Sequence, residues 1–260
     1  MIERRRAPRS AAFFDLDRTL ISGSSAFVLG IAAWRGKLVP TRQFARDALS
    51  AISFALAGAD DDTSIGVRDR ILGAVKDVRI DDLVALNADI VPRLIDRVRP
   101  ESLRLIEQHR QAGRATYIVS ASPVELVEPL AQALGMTAGI GTRSRIVDGR
   151  YTGELEGPFC YAEGKVEAIT AIAQAEGFDL DRCWAYSDSA SDLPMLRAAG
   201  HPVAVNPDAR LAREAATEGW PVVRFHRRTR AVMRRTSQGA VAVGLVAAGF
   251  ASGMRWARSH

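Results

Sequence analysis

Four short stretches carry side chains that could do chemistry together. In Phe14-Asp15-Leu16-Asp17-Arg18-Thr19-Leu20 two carboxylates stand two residues apart. At the end of a strand, such a pair can be given different surroundings and so different roles. One carboxylate attacks phosphorus competently once the phosphate's charge is screened. The other then serves as acid and later as base. In Ile118-Val119-Ser120-Ala121-Ser122-Pro123 a hydroxyl precedes a predicted helix N-terminus, which offers an O–H and free backbone N–H groups to an anion. Glu163-Gly164-Lys165 supplies an ammonium group able to stabilise a transferring phosphoryl group. The chain holds three lysines against 32 arginines, so a compact point charge at 165 reads as a deliberate choice. Tyr186-Ser187-Asp188-Ser189-Ala190-Ser191-Asp192 supplies two carboxylates, the hard oxygen ligands that Mg²⁺ takes. Taken singly, Ser120 would be a helix cap, Lys165 a surface residue, and Asp188 and Asp192 turn residues. All four stretches together are a much more specific signal.

The elements that must position these groups follow from pattern. Ser10–Leu16 reads as a buried strand of a parallel sheet. Between about 24 and 98 apolar residues recur at helical spacing, as in Phe44, Ala48, Ala51, Ile52 and Ala55, with a loop at Gly58–Ser64 and no convincing strand. Pro100 opens a helix through Gln111. Strands are then expected at Arg114–Val119, Arg182–Tyr186, His201–Val205 and Pro221–Phe225. They alternate with helices at Pro123–Leu134, Glu163–Ala175, Leu193–Ala199 and Asp208–Glu218. Ser144–Val147 and Arg150–Leu155 flank the hairpin turn Asp148-Gly149. This alternation predicts an α/β fold, a Rossmann-like, doubly wound parallel sheet with an inserted helical cap domain. Residues 10–23 and 99–225 would form the core domain and 24–98 the cap. The cap would emerge after the carboxyl end of the first strand, where open α/β sheets bind ligands.

With all four motifs in order over residues 10–225, the sequence resembles the haloacid dehalogenase superfamily, and within it the phosphoserine-phosphatase-like branch (subfamily IB). The resemblance implies a phosphatase that acts on a small phosphorylated metabolite through an aspartyl-phosphate. Asp15 would be the nucleophile and Asp17 the acid and base. Mg²⁺ would be held by the carboxylates of Asp15 and Asp188 and the main-chain carbonyl of Asp17. Ser120, Ala121 and Lys165 would grip the phosphoryl oxygens, and Asp192 would orient Lys165 or a metal-bound water. Dehalogenases of the superfamily lack the second acid and P-type ATPases carry Thr there, so Asp17 favours phosphatases and phosphomutases. The alternatives are a phosphoserine phosphatase proper and a phosphotransferase or mutase of the same fold. Phosphoserine phosphatases usually carry Glu nine residues after the nucleophile and Gly-Gly after the motif-two serine. Here Ser24 and Ala121-Ser122 stand in those places, which argues against phosphoserine. A non-catalytic binder would need neither nucleophile nor acid.

Composition bounds the partners. Net charge is +5, yet residues 1–9 carry four arginines and 226–260 carry seven. Without those eleven and Glu3, residues 10–225 hold 24 basic and 29 acidic side chains, a net −5. No aromatic and basic interleaving appears, so no nucleic-acid partner is expected. Cys160 and Cys183 fit no metal or disulfide framework and suit a cytoplasmic location. Residues 236–254 are uncharged and bracketed by Arg234-Arg235 and Arg255. They are long enough to span a bilayer from its inner face, with a Gly249/Gly253 pair suited to helix contact. Their high Ala and Gly content and four polar residues equally suit a packed soluble helix. Composition names neither an oligomeric state nor a substrate.

Overall fold

The computed structural model describes residues 9–38, 72–73 and 75–225, and its elements fall within one unit, Met1–Arg224. In chain order they are β1 (Ala11–Phe14), α1 (Ser25–Arg35), α2 (Ile80–Ala85), α3 (Asn87–Ile95), α4 (Pro100–Gln111), β2 (Ala115–Pro123) and α5 (Val124–Ala133). Next come β3 (Ala138–Thr142), β4 (Ser144–Val147), β5 (Arg150–Leu155), α6 (Glu163–Glu176) and β6 (Trp184–Ser187). The last are α7 (Leu193–Ala198), β7 (His201–Val205), α8 (Ala209–Thr217) and β8 (Val222–Val223).

Six strands form one sheet in the order β3-β2-β1-β6-β7-β8, and every neighbouring pair is parallel. The chain starts in the middle, winds outward to β3, crosses to β6 and winds outward again. The winding direction therefore reverses between β1 and β6, leaving a crevice at their carboxyl ends. All four residues of β1 are buried, because helices cover both faces. Ala11 and Phe13 pack in a core with Ile169 of α6, Leu196 of α7 and Leu211 of α8. Phe14 turns to the other face, stacks on Tyr186 at 4.5 Å and meets the edge of His109 from α4.

The hairpin and β7 match the sequence reading residue for residue. Asp148 and Gly149 have φ of 50° and 72°, as a two-residue hairpin turn of this hand requires. Other elements differ. β3, a strand the pattern does not predict, is rich in glycine because α5 lies against it. A Cβ on Gly139 would sit 2.4 Å from the Val127 carbonyl oxygen, and one on Gly141 would sit 2.7 Å from that of Ser122. β2 runs past Ser120 to Pro123, with a register shift on the way, because Pro123 pairs with Thr142. β6 starts at Trp184 rather than Arg182, since Leu180–Arg182 forms a 3-10 turn capped by Asp179. β8 is an edge strand of two residues.

Between β1 and β2 the described residues include the four helices α1 to α4 and no strand. The hairpin hydrogen-bonds to this segment, Tyr151 N to Val78 O at 3.0 Å and Asp77 N to Tyr151 O at 2.9 Å. Tyr151 also packs with Val75 and Leu83. The helical spacing at Phe44–Ala55 and the loop at Gly58–Ser64 lie outside the described residues, as does the uncharged segment 236–254. Among the described residues no helix is long and apolar enough to cross a membrane.

Candidate active site

Asp15 is the first residue beyond β1, and its N–H donates to the Tyr186 carbonyl at 2.9 Å. That bond continues the sheet ladder and delivers the carboxylate to the crevice. The chain then tightens, Leu20 N and Ile21 N both donating to Leu16 O. Arg18 takes a left-handed φ of 61° inside this turn. Asp17 is held from outside the turn. Its Oδ1 accepts from the Ser25 N–H at 2.7 Å, at the first residue of α1, so the positive end of that helix meets a carboxylate. Ser24 caps the same helix, accepting from Phe27 N, and its hydroxyl lies 3.5 Å from Asp17 Oδ2.

Ser120 is buried in β2, and its Oγ accepts from Ser122 N at 3.2 Å. Ala121 lies between them, partly exposed. The Ser122 hydroxyl in turn meets the Ser25 hydroxyl at 2.7 Å, both buried, which ties motif two to α1.

Lys165 sits in the first turn of α6. The chain enters that helix tightly: Ala162 has φ 48°, and a Cβ on Gly164 would fall 1.8 Å from the Phe159 carbonyl oxygen. Only glycine permits that approach. The Lys165 side chain is 3% exposed, and Nζ donates to Asp15 Oδ1 at 2.7 Å and Asp192 Oδ2 at 2.8 Å. Asp192 Oδ2 also accepts from Ser187 Oγ at 2.7 Å, so Asp192 is turned to Lys165 and the end of β6. Asp188 follows β6; its Oδ2 faces Arg18 Nε at 2.9 Å and its Oδ1 accepts from Thr19 Oγ1 at 3.4 Å. The Asp188 carbonyl accepts from Asp208 N, and the Asp208 carboxylate caps α8.

The cluster contains four carboxylates (Asp15, Asp17, Asp188, Asp192) and two cations (Lys165, Arg18). Burial pushes Asp15 up to about 7, Lys165 pulls it back, and Asp192 and Asp188 push it up again. Burial likewise raises Asp188 to about 6, against Arg18 and with Asp192 and Asp208. Asp17 is raised by burial, with the Ser25 hydrogen bonds opposing. Burial works against the charge on Lys165, but Asp15 and Asp192 together outweigh it and the ammonium is held more firmly than usual. An excess of buried negative charge on hard oxygens suits a divalent cation. Among the described residues no three His, Cys, Asp or Glu side chains are grouped to hold a metal by themselves. Asp15 and Asp188 would need the Asp17 main-chain carbonyl and water beside them, a common arrangement for Mg²⁺.

The structure thus brings Asp15, Lys165 and Asp192 into direct contact. Asp17 and Ser120 are joined to each other through Ser25 and Ser122. Pattern reading passed over Arg18, Ser25, Ser122, Ser187 and Asp208. Arg18, Ser122 and Ser187 stood inside recognised motifs without a role of their own, and Ser25 and Asp208 stood outside them; their contacts are made only in the fold. His109, to which the sequence assigns nothing, is a buried support behind Phe14. Its Nε2 lies 2.8 Å from the Tyr186 hydroxyl and its Nδ1 3.3 Å from Arg114. Trp184, which begins β6, is only partly buried.

Residues 12–197 match the family model described as haloacid dehalogenase-like hydrolase. The chain belongs to that family. A Streptomyces azureus protein named for inhibition of morphological differentiation is 41% identical over 90% of this chain and 84% of its own. A Mycobacterium tuberculosis phosphoserine phosphatase is 37% identical over 83% of this chain and 71% of its own. Among solved structures, a Bordetella pertussis protein of unknown function superposes with a TM-score of 0.73 at 27% identity, covering 84% of this chain and 99% of its own. This haloacid dehalogenase-like protein is therefore an enzyme, a hydrolase whose curated relatives include phosphatases.

Proposed function

We propose that the protein is a Mg²⁺-dependent phosphatase that hydrolyses a small phosphate monoester through an aspartyl-phosphate on Asp15. The observation that carries this reading is the buried Asp15–Lys165–Asp192 contact at the crevice of a parallel sheet, with Asp17 and Asp188 beside it. An Asp15 carboxylate oxygen attacks phosphorus as the ester P–O bond breaks, and Asp17 gives its proton to the leaving oxygen. Asp17 then takes a proton from water, the water oxygen bonds to phosphorus, and the P–O bond to Asp15 breaks. Inorganic phosphate leaves and both carboxyl groups are restored. Lys165 stabilises charge on the transferring group, while Ser120 and the Ala121 region contact its oxygens. Mg²⁺, when held by Asp15, Asp188 and the Asp17 carbonyl, supplies the positive charge that screens a dianion from the nucleophile.

The name of the M. tuberculosis relative makes phosphoserine one ester to test, and Ser24, a helix cap here, counts against it. The test is release of inorganic phosphate from an aryl phosphate and a panel of phosphorylated metabolites with Mg²⁺. Asp15→Asn is expected to lower turnover by about a thousandfold or more while remaining folded. A folded, Mg²⁺-loaded wild type that is silent across the panel refutes the reading. Transfer of the phosphoryl group to an added alcohol in place of water would establish a phosphotransferase.

A further inference from the structure

A cavity of about 450 Å³ opens at the end of the sheet opposite the carboxylate cluster. Its wall is built where strands begin. Arg9 precedes β1, Arg114 precedes β2, Trp184 starts β6 and His201 starts β7; Phe178 and Arg182 come from the connection into β6. Three arginines border one hollow, and among the described residues no acidic one lines it. The nearby Glu176 pairs with Arg9 only at 3.6 Å, with both side chains well exposed, so it offsets little of that charge.

Aromatic rings hold two of the three arginines, Arg114 and Arg9, rather than lie open. The Arg114 guanidinium lies 3.9 Å from the Trp184 ring centroid, and His201 stacks on the same indole at 4.2 Å and 19°. Arg9 sits 5.7 Å over Phe178. A guanidinium positioned in advance keeps several N–H donors for a ligand and loses little freedom when it binds one. Because cations and His201 already lie on the rings, the arrangement selects an oxyanion over a stacked base. The volume is that of a small-molecule site and exceeds what a single phosphate needs. Arg9 also donates to the Glu176 carbonyl at the end of α6. That bond, at 3.4 Å, and the 3.3 Å contact of Arg114 with His109 Nδ1 do not account for three arginines around one hollow.

We propose that this cavity is a second binding site, separate from the catalytic crevice, for a small polyanion carrying phosphate groups. Arg9, Arg114 and Arg182 are its recognition residues.

The experiment titrates inorganic pyrophosphate into the full chain in metal-free buffer and follows the indole N–H resonance of Trp184, assigned with Trp184→Phe. A saturable shift is expected. Arg182→Gln and Arg9→Gln should each weaken pyrophosphate roughly tenfold. Arg182→Lys, which keeps the charge and loses the fork, should weaken it less. Arg104→Gln, which removes an exposed arginine of α4 that pairs with Glu101 at 3.7 Å, should leave binding unchanged. Aryl phosphate turnover should persist in Arg9→Gln and Arg182→Gln, and the Trp184 shift should persist in Asp15→Asn. The two sites therefore stand or fall separately. Absence of a saturable shift overturns the proposal. So does equal weakening by Arg104→Gln, which marks a diffuse ion atmosphere, or loss of the shift in Asp15→Asn, which places the anion in the crevice.

Discussion

Lys165 is buried between Asp15 and Asp192, and a buried ion pair is costly to break from one side. Lys165→Met leaves two buried carboxylates without their cation. Stability in denaturant titration at pH 8 should fall by about 3 kcal/mol, and turnover by about a hundredfold or more. The Ser25–Ser122 hydroxyl pair is a second case of coupled residues. Ser122→Ala removes the 2.7 Å partner of the buried Ser25 hydroxyl and should cost about 1 kcal/mol. Removing both hydroxyls should cost less than the two single changes added together, as a double-mutant cycle would measure. Lys165 was legible in the sequence because its motif is local and lysine is rare in this chain. Ser25 and Ser122 were not, because their partnership spans 97 positions.

Among the elements, the start of α6 tolerates least. Gly164→Ala sets a methyl group against the Phe159 carbonyl and shifts the turn that aims Lys165. It should destabilise by about 3 kcal/mol or more. Gly73→Ala, with nothing within 4 Å, is the control and should be tolerated. The packing of α4 on the sheet carries a pH signature. His109 is 4% exposed, and burial, aided by Arg114, lowers its pKa to about 4. A basic group depressed on folding stabilises the neutral form. Its contribution is complete above about 6.5 and lost as pH falls towards about 4, roughly 3 kcal/mol in all. Across that window the wild-type thermal midpoint should fall relative to that of His109→Gln as pH drops, which separates His109 from the carboxylates that titrate beside it.

For the whole molecule, the carboxylate cluster sets how stability responds to metal and pH together. Asp15 at about 7 and Asp188 at about 6 lie above their unfolded value of 3.8, so the metal-stripped folded state binds more protons than the unfolded chain. Their contribution therefore declines as pH rises from about 4 to 7. A divalent cation competes with those protons and reverses the loss. Mg²⁺ should raise the melting temperature clearly at pH 8 and much less at pH 5, and chelation should undo the rise. Comparing melts with and without Mg²⁺ at each pH cancels the opposite-signed His109 effect. Sheet order and winding direction make this cluster possible, since they bring the carboxyl ends of β1, β2 and β6 side by side.

Local chemistry was decisive in the sequence by itself. Strand and helix alternation implied the parallel α/β fold, Asp148-Gly149 the hairpin, and four motifs the residues of the crevice. Each is a property of a few neighbouring side chains, so it survives without the fold. Only the tertiary structure decided that Asp192 turns to Lys165, that α1 grips Asp17 and that glycine-rich 138–142 is a strand. It alone gathered arginines 9, 114 and 182 around one cavity. These are contacts between distant segments, and backbone approach and burial determine them only once the layers have packed.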